Sequence, residues 1–175
     1  MIKKAVLWFC ILMLTACGGG SSAPIIEPVV SNQTPVPEPE ENPTSEVEFI
    51  TQTIDGRLVD RPYLIRYPEN ASETKYPVVF FFHDAGENGD LWLSNNTDVT
   101  DLIDDGKFIG IFPDSYLNEW NISSDASVDD VDFVSLIVNG LDAAGLFDVD
   151  KVFGVGTSNG AGLVNKIAKE TTLFK

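Results

Sequence analysis

The chain of 175 residues holds one histidine, His83, and two cysteines, Cys10 and Cys17, both within its first 17 positions. Beyond Cys17 there is therefore no intrachain disulfide, and a His/Cys zinc cluster is excluded by the same scarcity. Basic charge is also scarce. Eleven Lys and Arg stand against 27 Asp and Glu, for a net charge of −16 and an isoelectric point near 4.1. Phosphate binding needs a basic face, so no nucleic-acid partner is expected, nor docking on an anionic membrane by charge. The N-terminal apolar run, Ala5–Leu14, is ten residues long, too short to cross ~30 Å of hydrocarbon as a helix. What the chain does have is an apolar content of 43%, which suits a packed core, and a length that suits one domain.

The ten-residue run follows Lys3 and Lys4 and ends in Leu14-Thr15-Ala16-Cys17, then three glycines and two serines. A short positive segment, a short apolar segment and small residues make a secretory leader. The stretch resembles the bacterial lipobox, which implies a signal peptide over 1–16 and a lipid-modified Cys17 as the new N-terminus. The plainer alternative is an ordinary cleaved leader that contains a cysteine. Gly18, not Asp, follows Cys17, which resembles the pattern sent to the outer membrane in Gram-negative lipoproteins. The only membrane contact expected is through that lipid.

Residues 17–46 carry six of the ten prolines and no Lys or Arg. Proline fixes φ and removes amide donors, and Glu38, Glu40, Glu41 and Glu46 repel one another, so an extended, mobile tether is expected. Its simplest role is spacing.

Residues 47–175 are expected to carry the fold. Val47–Ile54 and Arg61–Tyr67 read as strands. Pro77–His83 is a near-continuous apolar run, as is Lys107–Phe112, and Lys151–Gly156 is a third; each fits a strand buried on both faces. Thr97–Asp105 reads as a short helix stopped by Gly106. Ser127 and Asp130 have the spacing of a capping box, ahead of a stripe made by Val131, Val134, Leu136, Ile137, Val138 and Leu141. Gly145 is the expected stop of that helix, and Ser158–Thr171 reads as another. After two leading strands, strand and helix alternate, so the expected class is α/β: about five strands, mostly parallel, flanked by helices. The acidic residues between Asp98 and Asp132 lack the spacing of an EF-hand loop, and no metal or other cofactor is expected.

Gly156-Thr157-Ser158-Asn159-Gly160 is a G-x-S-x-G sequence set between an apolar strand and a helix. That context suits a nucleophile elbow, a sharp turn that lifts a serine hydroxyl above the strand's carboxyl end. Gly156 and Gly160 would keep side chains out of the turn, and the helix N-terminus would stabilise a developing oxyanion.

With His83-Asp84-Ala85-Gly86 after the phenylalanine-rich strand, the chain from about Arg61 onward resembles the α/β-hydrolase fold. Within it, the likeness is to secreted esterases that include polyhydroxybutyrate depolymerases and feruloyl esterases. The likeness rests on Arg61–Pro68, Pro77–Gly86, Gly110–Asp114, Trp120, Asp132–Val134 and Asp150–Gly160. It implies Ser158 as nucleophile, Ala85 and Asn159 as backbone donors of an oxyanion hole, and an ester substrate, polymeric ones included. The family's loop has Gly where this chain has Asp84, whose charge beside an oxyanion would be unhelpful. Trp120 and Tyr116 are read either as lining a substrate cleft or as plain packing.

In the same family the loop histidine shapes the loop, and the triad runs Ser, acid, His along the chain. His83 is therefore read as structural. Asn159–Lys175 hold no Asp and no His, and Glu170 lies on the helix leaving the elbow. The expectation is an N-terminal part of such a hydrolase sheet, with Lys151–Gly156 on an uncovered edge. Two other readings stay open: an inactive lipoprotein whose hydrolase scaffold serves as a binding module, and a serine peptidase on the same fold.

Overall fold

The computed structural model describes residues 45–69, 71, 75–123, 127–145 and 147–175. All of them lie in the compact unit Glu40–Lys175. The leader, Cys17 and the tether up to 44 lie outside the described residues. The first strand, β1 (Ser45–Ile54), starts two residues inside the segment read as tether.

β1 pairs antiparallel with β2 (Arg57–Arg66) across the two-residue turn Asp55-Gly56. Both turn residues have positive φ, 50° and 74°, as a hairpin turn matched to strand twist requires. β2 then pairs antiparallel with β4 (Ile109–Pro113), which runs parallel to β3 (Tyr76–Phe82), and β3 runs parallel to β5 (Phe147–Gly156). The sheet order is β1-β2-β4-β3-β5. The parallel half is thus β4-β3-β5, with the leading hairpin joined to it antiparallel.

Side chains alternate across β3, which explains its unbroken apolar run. Phe80 and Phe82 face one core with Ile109, Ile111, Phe133, Ile137, Leu163 and Ile167. Phe81 faces a second, smaller core with Trp92, Ile103 and Phe112. The first core is covered by α3 (Asp130–Ala144) and α4 (Asn159–Glu170), the second by α1 (Gly89–Asn95) and α2 (Thr97–Asp104). The sequence reading missed α1, which is seven residues long and too short to show a full apolar stripe.

The cap of α3 differs from expectation. Asp129, not Ser127, caps it, its Oδ1 accepting the Asp132 amide at 2.9 Å. Asp130 cannot close a box with Ser127 because its carboxylate is buried against Arg61 at 2.7 Å and accepts the Asn121 amide at 2.6 Å. Gly145 ends the helix with φ 78°, the left-handed stop that glycine accepts at least cost.

β5 starts at Phe147, ahead of the expected Lys151, and a register irregularity between Pro77 and Val78 absorbs the extra residues. It lies at a sheet edge. On it Val152 is buried, while Phe153 and Val155 are 39% and 45% exposed. The closing residues meet the same strand: Lys175 donates its amide to the Val152 carbonyl at 3.0 Å. The carboxyl ends of β3, β4 and β5 lead into 83–88, 114–120 and 157–158 at one edge of the sheet. In open α/β sheets that edge is where ligands bind.

Candidate active site

Ser158 stands between β5 and α4 with φ 50° and ψ −112°. This backbone conformation is sparsely populated for a residue with a Cβ. The neighbouring glycines explain how the turn closes. A Cβ on Gly156 would lie 2.4 Å from the Gly160 carbonyl carbon, and one on Gly160 would lie 2.3 Å from the Phe82 carbonyl oxygen. Only hydrogen fits at either place, so strand, turn and helix meet backbone to backbone. Thr157 donates its amide to the Phe82 carbonyl at 3.1 Å, which ties the turn to β3. Ser158 itself is exposed.

The loop after β3 supplies the facing wall. Gly86 takes φ 83°, and its amide donates to the Asn118 carbonyl at 2.8 Å. Leu117 and Asn118, in a short 3₁₀ turn (Tyr116–Asn118), also hold positive φ, at 55° and 61°. Asp84 sits in this loop without a left-handed backbone, so the loop tolerates a side chain there. Its carboxylate points at the elbow. Oδ1 accepts the Ala85 amide at 2.6 Å and the Asn159 amide at 3.4 Å. The two amides singled out from sequence therefore converge on a single oxygen, and that oxygen belongs to the protein. The Ser158 hydroxyl, followed by the Ala85 amide, holds the Asp84 carboxyl below the usual carboxylate range.

His83 is fully buried. Its Nε2 accepts the Ser115 amide at 3.1 Å, and its Nδ1 lies 2.6 Å from the Asp84 carbonyl. A donor on one side and an acceptor on the other fix the tautomer: Nδ1 carries the hydrogen and donates it to the Asp84 carbonyl, and the Nε2 lone pair accepts from the Ser115 amide. Both nitrogens are thus engaged with backbone, and the ring packs beside Trp120 at 4.9 Å between centroids. Trp120 is buried too, its Nε1 donating to the His83 carbonyl at 2.9 Å and its ring edge-on to Phe82. It is a packing residue.

One positioning contact was missed from sequence. The Asn159 side chain clamps the Trp120 backbone, Oδ1 accepting its amide at 2.7 Å and Nδ2 donating to its carbonyl at 3.2 Å. This fixes the first residue of α4, and with it the amide that faces Asp84. The partners are 39 positions apart, so no local pattern could have signalled the pair.

Neither a protein-family model nor a curated protein sequence matches the chain. Solved structures do. An acetyl xylan esterase from Aspergillus awamori superposes with a TM-score of 0.58 at 21% identity, over 74% of this chain and 49% of that one. A ferulic acid esterase gives 0.57 at 20% identity, over 75% and 56%. A cold-adapted esterase from an Arctic intertidal metagenomic library gives 0.56 at 11%, over 78% and 60%. The fold is part of an α/β-hydrolase fold. The chain spans about half the length of the first two of these structures. The α/β-hydrolase likeness covers the described sheet, with Ser158 on the turn that follows β5.

Proposed function

We propose that the chain is the elbow-bearing part of a serine ester hydrolase. The observation that carries the reading is Ser158: an exposed residue on a strained turn, above the end of a parallel strand and at the head of α4, its hydroxyl bonded to the Asp84 carboxylate. The likeness to esterase structures supports ester over amide chemistry. Ser158 Oγ attacks the ester carbonyl carbon, forming a C–O bond as its proton passes to a base. The carbonyl oxygen becomes an oxyanion facing the Ala85 and Asn159 amides. Collapse expels the alcohol, which takes the proton back, and water repeats the sequence to free the acid. His83 is committed to backbone on both nitrogens, so the reading does not assign it as that base.

Acetyl xylan and ferulic acid esterases among the structural neighbours favour esters carried on a polymer as the substrate class. The leader and Cys17 support lipid anchoring at a bacterial envelope, through the outer membrane. Cys17→Ser should then release the protein from the membrane fraction, and an unchanged distribution would remove the anchor.

The test of activity compares hydrolysis of a short-chain nitrophenyl ester by the natural protein and by Ser158→Ala. A rate that depends on Ser158 is expected; equal rates would remove the enzyme. The position of Asp84 favours one rival, a scaffold that binds and does not catalyse, and the same comparison separates the two.

A further inference from the structure

The amides that would hold a substrate oxyanion are already occupied. Asp84 Oδ1 receives both the Ala85 and Asn159 amides, at 2.6 and 3.4 Å. A negatively charged oxygen at the point where two backbone donors converge has the charge and place of a tetrahedral oxyanion. Hydrogen bonds to an ionised acceptor are about twice as strong as neutral ones. An entering ester carbonyl, which is neutral, must displace that stronger partner. The loop itself is held independently of the carboxylate, through Gly86 to Asn118 and Ser115 to His83. The Asp84 side chain is only half-buried, so turning it into solvent uncovers the amides without unfolding the loop.

We propose that the Asp84 carboxylate is an internal stopper of the oxyanion site, and that the site accepts a substrate only after this side chain has turned out. The proposal rests on the hydrolase reading and adds a gate to it. Asp84 is not assigned as a base for Ser158: a carboxylate on the oxyanion donors stands where the carbonyl oxygen must go.

Two measurements test the gate on the natural protein. The first is independent of catalysis. In amide NMR spectra, Asp84→Asn should shift the Ala85 and Asn159 amide protons, because each loses an ionised acceptor. A dispersed spectrum certifies the fold of the variant. Unmoved resonances would overturn the stopper. The second uses phenylboronic acid, whose boron takes the Ser158 oxygen to form a tetrahedral anion while the hydroxyl proton leaves to solvent. Asp84→Gly and Asp84→Asn should each bind it at least tenfold more tightly than the natural chain, and Ser158→Ala should abolish the gain. Equal, Ser158-dependent affinity in all three would overturn the gate and leave the hydrolase reading standing. Shifted amides with no Ser158-dependent binding in any variant would reject the hydrolase reading. Asp84 would then be a loop anchor, and the gate would fall with that reading.

Discussion

Ser158 is held at φ 50° and ψ −112°, and backbone strain of this kind costs about 1–3 kcal/mol when the surroundings enforce it. Ser158→Gly should therefore stabilise the fold by about 1 kcal/mol, read as a higher urea midpoint at unchanged slope. An unchanged or lower midpoint would mean that the turn is not strained. The strand-turn-helix around Ser158 was legible because its glycines lie within five consecutive residues, while the Phe82 carbonyl that closes on it was not. Gly156 and Gly160 are required by backbone approaches that any Cβ would block. The Asp84 contact was only half legible. The sequence places a charge in the loop, but its partner amide is 75 positions away. Its direction depends on how β3 and β5 are registered.

At the scale of elements, α3 offers a test of which residue starts it. Asp129→Ala should cost about 1 kcal/mol, since it removes the acceptor of the Asp132 amide, while Ser127→Ala should stay within about 0.5 kcal/mol. Equal losses on urea denaturation would restore the box read from sequence. That reading failed because Asp130 has a stronger partner in Arg61, from β2, and pattern within the helix does not report it. The β1–β2 hairpin was found as two strands, and its turn signal, Asp55-Gly56, is plain in the sequence though unused. The end of the hairpin also carries a pH dependence. Burial, then the Glu46 charge, pushes the Tyr67 hydroxyl up to about 12, with Glu48 adding to it, and Tyr63 is raised by burial as well. A raised tyrosine pKa gives stability that is full below the unfolded value, near 10, and is lost as pH climbs through the folded one. Tyr67→Phe should narrow the drop in urea midpoint between about pH 9 and about pH 11. A drop of unchanged size would show that Tyr67 does not contribute.

For the molecule as a whole, a tie between the antiparallel and the helical parts is the Arg61–Asp130 pair, 2.7 Å apart and almost wholly buried. Burial pushes the Asp130 carboxyl up and the Arg61 guanidinium down, and the attraction between them opposes both shifts. Arg61 also lies 3.8 Å over the Phe133 ring and donates to Gln52 and to the Asp114 carbonyl. Asp130→Asn should cost about 3 kcal/mol, because it leaves a buried cation without its partner. A loss below about 1 kcal/mol in urea denaturation would place the pair among surface ion pairs. The α/β class followed from apolar runs that alternate with helical stripes, since burial on both faces leaves no polar positions in β3 and β4. The sheet order did not follow, because β4 lies between β2 and β3 by packing that no local signal encodes. The most direct test of the whole account is mass spectrometry of the tryptic peptide 152–166 after long exposure to nitrophenyl acetate. Acetyl transfer to Ser158 is the predicted result, slow in the natural chain, faster in Asp84→Gly and lost in Ser158→Ala; an unmodified peptide in every variant, or a mark that survives Ser158→Ala, would contradict it.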